Sequence, residues 1–173
     1  MLHEDVVRAR QGYVALTVLA VAFAARADVV WPALFMETRL LSVWVVVLGL
    51  AIEWPVIRYL TQRPSWTSLG ITVVINAVST LVGVLLIPLT GIVWEVGPGL
   101  LMYRALGVGT FNPVTWTATV VLAALISASV EALALRWPFR HRIGRRGFGV
   151  LTLANLASTV VAAASLAIWP AER

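Results

Sequence analysis

The stretches VINAVSTLVG (residues 74–83) and LANLASTVVA (residues 153–162) each place an asparagine and a Ser-Thr pair inside an apolar run. Asn76 and Asn155 are 79 residues apart, and the Ser-Thr pair follows each of them at the same spacing. An amide inside an apolar helix costs free energy unless it finds a hydrogen-bond partner. A pattern that occurs twice therefore predicts two corresponding places in the fold where such a partner is supplied.

The composition indicates that lipid surrounds most of the chain. It has 173 residues, of which 60% are hydrophobic and 12% are charged, whereas soluble domains carry about 25% charged residues. One soluble core of this size cannot bury so much apolar surface. There are no cysteines, which excludes disulfides, thiolate catalysis and cysteine-ligated zinc. We therefore predict an all-α integral membrane protein.

Five apolar runs mark the candidate helices. They cover about residues 13–25, 40–60, 69–94, 114–137 and 148–169. The last four are long enough to cross a hydrocarbon core, which needs roughly 20 residues, and the first is not. The first run precedes Ala25-Arg26-Ala27, a small-x-small pattern that is typical of signal-peptidase sites. Residues 1–27 are therefore predicted to be either a signal peptide or a short extra N-terminal helix.

The distribution of arginine predicts the orientation of the spans. Seven of the thirteen Arg residues lie in or beside the connections 61–68 and 138–146. Five of them form a basic cluster: Arg136, Arg140, Arg142, Arg145 and Arg146. The positive-inside rule places both connections in the cytoplasm and the C-terminus outside, in the inner (cytoplasmic) membrane of a bacterium. We interpret the cluster as a topology determinant that contacts lipid headgroups, with no role in nucleic-acid binding.

Two segments, residues 28–39 and 95–113, are predicted to lie outside the membrane. The second contains several Gly and Pro residues but keeps apolar side chains such as Leu101 and Leu106. This combination favours a short interfacial helix or a partly buried cap over the bundle. Besides the lipid bilayer, the expected partners are a second copy of the chain or another membrane protein that contacts these two segments.

An internal repeat relates the two halves of the chain. Glu53, Arg58, Gly70, Asn76, Ser79 and Thr80 correspond in type and order to Glu131, Arg136, Gly149, Asn155, Ser158 and Thr159. The offset is 78 residues for the first two pairs and 79 for the others. Residues 40–94 and 114–170 are therefore predicted to be tandem helical hairpins. Because each contains two spans, both have the same orientation, related by a pseudo-two-fold axis along the membrane normal.

The repeated polar residues are predicted to share one depth in the membrane. Glu53 and Asn76 lie roughly 10 Å inside the cytoplasmic boundary of their spans, and Glu131 and Asn155 lie at about the same depth. A carboxyl and an amide in lipid are costly unless they are hydrogen-bonded, so we expect each Glu to pair with an Asn. The candidate layer consists of Glu53, Asn76, Ser79, Glu131, Asn155 and Ser158.

Two functions are compatible with such a layer. In the first, hydrogen bonds of the layer hold the helices together, and the protein is an accessory, assembly or structural membrane subunit. In the alternative, the protein is an oligomeric transporter or channel in which Glu53 and Glu131 bind a cation or relay protons. An enzyme is the weaker hypothesis because neither H-E-x-x-H nor G-x-S-x-G occurs, although a carboxyl pair leaves acid–base chemistry open. No catalytic residue, metal ligand or cofactor is predicted.

Overall fold

The computed structural model describes residues 32–168, which form helices joined by turns and contain no β-strand. The helices are α1 (Pro32–Leu40), α2 (Val43–Thr61), α3 (Ser65–Trp94), α4 (Leu100–Leu106), α5 (Pro113–Arg136) and α6 (Arg145–Ile168). Four of them, α2, α3, α5 and α6, are long and apolar enough to cross a membrane. Within residues 32–168, the prediction of an all-helical fold with four spans is confirmed, and the four apolar helices indicate a multi-pass membrane protein. The predicted signal peptide or extra helix (residues 1–27) lies outside the described residues.

Local sequence signals explain where the spans begin and end. α2 stops before Gln62, which adopts a left-handed conformation (φ 53°) and donates its backbone N–H to the carbonyl oxygen of Arg58. Pro64 follows and cannot continue a helix. At the start of α5, the Asn112 side chain accepts hydrogen bonds from two N–H groups of the first turn, and Pro113 occupies the first helical position.

A kink separates α3 from α4. Helical geometry breaks at Gly97 (φ −107°, ψ −105°), and the following Pro98 has no N–H to donate. A Cβ added at Gly99 would lie 2.9 Å from the carbonyl oxygen of Trp94, so only glycine fits there without a shift of the backbone. The kink allows Tyr103 of α4 to reach the first turn of α5.

The four spans form a closed ring of neighbours. α2 packs against α3 and α6, and α5 packs against the same two helices. One apolar cluster lies next to the two hairpin turns and contains Ile57, Ile71, Ile75, Ala128, Ala134, Leu135 and Leu151. A second cluster lies at the opposite end of the spans and contains Met36, Val45 and Ala162. The polar residues of the candidate layer lie between the two clusters, as Glu53 does on α2 between Val45 and Ile57.

The helix α1 covers the end of the ring that is opposite to the hairpin turns. It contacts all four spans, and Ala33 and Met36 are buried in these contacts. Most of the segment predicted to be external (residues 28–39) is therefore a packed helix. Its buried side chains stabilise the bundle itself.

Small side chains allow α5 to approach its neighbours closely. Ala123, Ala124 and Ala128 are almost completely buried. Inside a membrane, small residues at a helix contact let backbones approach, so that van der Waals packing holds the helices together. A larger side chain at these positions has no space to occupy.

We therefore expect Ala128→Leu to lower the free energy of unfolding by about 1–3 kcal/mol, because overpacking forces α5 away from its neighbours. Thermal unfolding in detergent would show this as a lower midpoint, by roughly 2–4 °C per kcal/mol. Ser129→Leu is the matched control, because Ser129 is exposed on the same helix. It should change stability by less than about 0.5 kcal/mol, and equal losses in the two variants would contradict the packing described here.

Candidate functional site: the intramembrane Glu–Asn–Ser layer

The carboxyl group of Glu53 joins three helices at the centre of the bundle. Glu53, on α2, is 2% exposed. Asn76 of α3 donates from Nδ2 to Glu53 Oε2 at 2.5 Å, and Ser158 Oγ of α6 lies at hydrogen-bond distance, 2.9 Å, from Glu53 Oε1. One carboxyl therefore links α2 both to its hairpin partner α3 and to a helix of the other hairpin.

The carboxyl group of Glu131 makes the corresponding contacts from α5. It is 1% exposed. Asn155 of α6 donates from Nδ2 to Glu131 Oε2 at 2.9 Å, and Ser79 Oγ of α3 lies 3.2 Å from Glu131 Oε1. The two glutamates together make four such contacts. One joins each pair of neighbouring helices in the ring: α2 with α3, α2 with α6, α5 with α6, and α3 with α5.

Backbone carbonyls orient the two asparagine amides. Asn76 Nδ2 also donates to the carbonyl oxygen of Thr72 at 3.1 Å, and Asn155 Nδ2 to that of Leu151 at 3.2 Å. Both acceptors lie one helical turn before the asparagine. One N–H of each amide therefore donates to the backbone of its own helix. This hydrogen bond orients the amide so that its other N–H donates to the glutamate.

Each serine hydroxyl lies near two acceptors but has only one proton to donate. Ser79 Oγ is 3.1 Å from the carbonyl oxygen of Asn76, and Ser158 Oγ is 3.0 Å from that of Asn155. If the serine proton goes to this carbonyl, a protonated glutamate can donate its own O–H to the serine oxygen. Every one of these hydrogens then has an acceptor, and the layer carries no charge.

The surroundings of the two carboxyls favour the neutral arrangement. Within residues 32–168, the side chains that hydrogen-bond to Glu53 and Glu131 are the Asn and Ser residues described above, and none is cationic. An ionised carboxylate without a cation is costly to bury in an apolar environment. All six residues of the layer predicted from the sequence are thus brought together in one hydrogen-bonded network.

A cavity of about 480 Å³ borders the layer on one side. It extends along α2 and α3 from the region of Leu40 to the carboxyls of Glu53 and Glu131. Most of its lining is apolar. Asn76 is partly exposed, whereas Asn155 is only 3% exposed. The hairpin of α2 and α3 is therefore the more open half of the layer.

A second polar network, which sequence reasoning missed, ties α4 to the end of the bundle. Thr115 Oγ1 is its hub and is fully buried. It lies 2.9 Å from Tyr103 Oη and accepts from Asn112 Nδ2 at 3.0 Å and from Trp94 Nε1 at 3.4 Å. Tyr103 Oη also donates to Glu95 at 2.8 Å. These residues have no common spacing, and the one signal in the sequence was the Asn112-Pro113 helix start.

Removing the Thr115 hydroxyl should destabilise this end of the protein. We expect Thr115→Val to lower the free energy of unfolding by about 1–3 kcal/mol, because Asn112 and Trp94 lose a buried acceptor. Thermal unfolding in detergent measures the loss. Thr117→Val is the matched control, since Thr117 is exposed and its hydroxyl donates only to the backbone of its own helix. A loss at Thr117 as large as that at Thr115 would contradict the hub.

The basic cluster lies apart from the layer, around the turn between α5 and α6. Its five arginines are all exposed. Arg136, Arg140 and Arg142 line one surface cleft together with Trp137. Arg140 adopts a left-handed conformation (φ 52°), as Gln62 does after α2. The structure therefore concentrates positive charge at one hairpin turn and brings none of it to the carboxyls.

No protein-family model matches this chain, and neither a curated protein nor a solved structure matches it. In the described part of the chain, no group of three or more His, Cys, Asp or Glu side chains is placed to hold a metal ion. Because a helical bundle by itself does not define a function, the functional proposal rests on the residues of the layer and on the cavity beside it.

Proposed function

We propose that the protein is an accessory, assembly or structural membrane subunit. Hydrogen bonds of its Glu–Asn–Ser layer hold two helical hairpins together, and we call this set of bonds the clasp. The observation that carries this proposal is the reciprocal bonding of the carboxyls. Each glutamate is held by the asparagine of its own hairpin and by the serine of the other. Single hydrogen bonds between membrane helices contribute only about 0.6 kcal/mol on average, so a clasp needs several, and the layer has four.

The two hairpins are proposed to be a tandem duplication with a common orientation. Four pairs of hydrogen bonds in the layer correspond between residues 40–94 and residues 114–170. Gln62 and Arg140 occupy corresponding positions, and both have a left-handed backbone (φ 53° and 52°). A duplicated unit that keeps its turn conformation and its polar contacts supports this proposal.

The hairpin turns are proposed to face the cytoplasm of a bacterium, with the C-terminus outside. The exposed arginines around the turn between α5 and α6 support this orientation. Because the chain has no cysteine, single cysteines can report the side on which a residue lies. Thr67 and Val108 are suitable positions, since both are exposed and they lie at opposite ends of the spans.

In intact cells, a membrane-impermeant maleimide should label Val108→Cys, whereas Thr67→Cys should be labelled only after lysis. The cysteine-free parent is the control for background labelling. Labelling of Thr67→Cys in intact cells with protection of Val108→Cys would reverse the proposed orientation.

The end of the protein that carries α1 and α4 is the proposed contact surface for a partner. Segments 28–39 and 95–113 are both at this end. On α4, Leu101 and Leu106 are exposed, while the hydrogen bond between Tyr103 and Thr115 of α5 holds the helix against the bundle. An anchored helix with apolar residues on its free face supports contact with a second copy or with another membrane protein.

Glutamine substitutions test the clasp, because glutamine resembles a neutral glutamate in shape and keeps a donor and an acceptor. Glu53→Gln, Glu131→Gln and the double variant should unfold within about 1 kcal/mol of the parent in detergent. Infrared difference spectra between the parent and the double variant should show the loss of a protonated-carboxyl band. A parent without a protonated-carboxyl band, together with a strongly destabilised double variant, would contradict a clasp built on neutral glutamates.

The cavity favours a second candidate function, an oligomeric transporter or channel for protons or a cation. Glu53 and Glu131 both border the cavity, so a solute in it could reach both carboxyls. In this case Na⁺ or K⁺, added at constant ionic strength, should raise the unfolding midpoint of the parent. The Glu53→Gln/Glu131→Gln variant should not respond. If the parent is equally stable with and without these cations, cation binding at the layer is rejected.

A further inference from the structure

We propose that the cavity between α2 and α3 binds a small apolar molecule that carries one primary or secondary amine. This ligand site goes beyond the clasp, because it concerns the space beside the layer and not the contacts within it. The cavity volume of about 480 Å³ falls in the range of about 300–1,000 Å³ that is usual for small-molecule sites. Such sites combine apolar walls with a few polar groups that fix orientation.

The walls of the cavity select for an apolar body. Its sides are formed mainly by aliphatic residues of α2 and α3, among them Val45, Leu50, Val73, Val84 and Ile87. Oxygen-bearing side chains line it mainly around the layer. The aliphatic walls offer no oxygen to a hard inorganic cation such as Ca²⁺, which needs six to eight oxygen ligands, so every side-chain ligand would have to come from the polar end of the cavity. An organic molecule with an apolar body packs better against these aliphatic walls.

The polar end of the cavity contains hydroxyl groups and several hydrogen-bond acceptors. The carboxyls of Glu53 and Glu131 border it, and each carboxyl oxygen has one hydrogen-bond partner in the protein, which leaves acceptor capacity unused. Asn155 also lines the cavity, and its Oδ1 accepts no hydrogen bond within residues 32–168, although the side chain is 97% buried. An amine supplies the missing donors.

The charges around the cavity favour a cation over an anion. Among the described residues that line it, two are Glu and none is Arg, Lys or His. A neutral amine that arrives from the lipid can accept the O–H proton of one glutamate. The products are an ammonium and a carboxylate in contact, so the complex gains an ion pair without any change in net charge. The second glutamate keeps its proton and remains in the clasp.

The geometry of the helices points to access from the lipid between α2 and α3. Among the exposed residues that line the cavity, Val46, Leu81 and Val84 are on these two helices, and Leu41 lies just before α2. On the opposite side of α2, a ligand has no path to the cavity at Gly49, because α6 packs directly against α2 there. A Cβ added at Gly49 would lie 3.6 Å from the Cβ of Ser158, which is van der Waals contact. An amphiphilic amine dissolved in the bilayer would therefore approach the cavity with its amine directed toward the carboxyls.

Binding of 1-adamantylamine, compared with 1-adamantanol, tests the proposal on the full chain in lipid nanodiscs. The two probes share one apolar body and differ in the charged donor. Equilibrium dialysis should show saturable binding of the amine, with one site per chain. The alcohol should bind at least about tenfold more weakly, because a hydrogen bond to a charged group contributes more than a neutral one. Empty nanodiscs measure partition into lipid.

Two protein variants locate the bound probe. Gly83 lines the cavity, and a Cβ there meets only Ile87, at an ordinary 3.4 Å, so Gly83→Leu should fill the space without breaking the clasp. It should weaken amine binding by at least about tenfold. Gly149→Leu is the matched control on an open helix face and should bind like the parent. Glu53→Gln/Glu131→Gln should also lose about tenfold, after its unfolding midpoint has shown that it is folded.

The outcomes separate this proposal from the clasp. Equal affinity for the amine and the alcohol, with both lost in Gly83→Leu, would mean that the cavity holds an apolar molecule such as a lipid chain, and the amine proposal is rejected. Equal uptake of the amine by all variants and by empty nanodiscs would mean partition only, and it is rejected as well. Neither result affects the clasp, which is measured by stability without a probe.

Discussion

Glu131→Leu is expected to destabilise the bundle by about 2–4 kcal/mol, even though leucine suits an apolar environment. The substitution removes the acceptor of Asn155 Nδ2, which is then left with an unpaired N–H in the interior. Ser79 loses less, because its hydroxyl keeps the carbonyl oxygen of Asn76 as a partner. The measurement is thermal or denaturant unfolding in detergent, with Glu131→Gln as the isosteric reference.

A second substitution should recover part of this loss. In Glu131→Leu/Asn155→Leu the unpaired amide is gone as well, so the double variant should be more stable than Glu131→Leu by at least about 1 kcal/mol. The reason is that an unsatisfied buried donor costs more than the absence of the whole pair. If Glu131→Leu is as stable as the parent, the layer makes no contribution to stability and the proposed clasp is wrong.

Asn155→Asp should cause the largest loss of stability, about 3–5 kcal/mol at neutral pH. It changes the shape of the side chain very little but replaces two N–H donors with an oxygen. That oxygen would face two acceptors, Glu131 Oε2 at 2.9 Å and the carbonyl oxygen of Leu151 at 3.2 Å. Because Asn155 is only 3% exposed, solvent reduces this repulsion little.

Asn76→Asp is the matched comparison, because Asn76 makes the corresponding hydrogen bonds in the other hairpin. Asn76 is partly exposed to the cavity, so we expect a smaller loss of about 1–3 kcal/mol. Adding Glu131→Gln to Asn155→Asp should recover at least half of the loss, since the glutamine amide can donate to the new carboxylate. Equal losses at the two asparagine positions would show that the greater exposure of Asn76 does not reduce the repulsion.

The part of the fold that follows from one-dimensional patterns was predictable. Four spans were expected from the length of the apolar runs, and the helices α2, α3, α5 and α6 begin and end within about four residues of those runs. The layer was predictable because a costly polar residue in an apolar run is informative by itself, and because Asn76 and Asn155 recur at the same depth. Hydrophobicity and depth both depend on position along the chain, which the sequence records directly.

Other features depend on which side chains meet in space. The sequence paired each glutamate with an asparagine, but it did not predict that Ser158 bonds to Glu53 and Ser79 to Glu131. The helical period shows which residues share a face, and it does not show which helix that face meets. The hub at Thr115 was missed for the same reason, because its partners come from three separate segments.

By itself, the sequence determined the four apolar helices found within residues 32–168 and the repeated Glu–Asn–Ser pattern that they carry. The tertiary structure alone decided that the pattern links the two hairpins reciprocally, that α1 covers one end, and that a cavity borders the layer with Asn76 more exposed than Asn155. The physical reason is that burial in lipid is a property of each segment, whereas the closeness of two helices depends on the side chains of both. A cavity is the space that such a pair of helices leaves unfilled, so it has no signature in either segment alone.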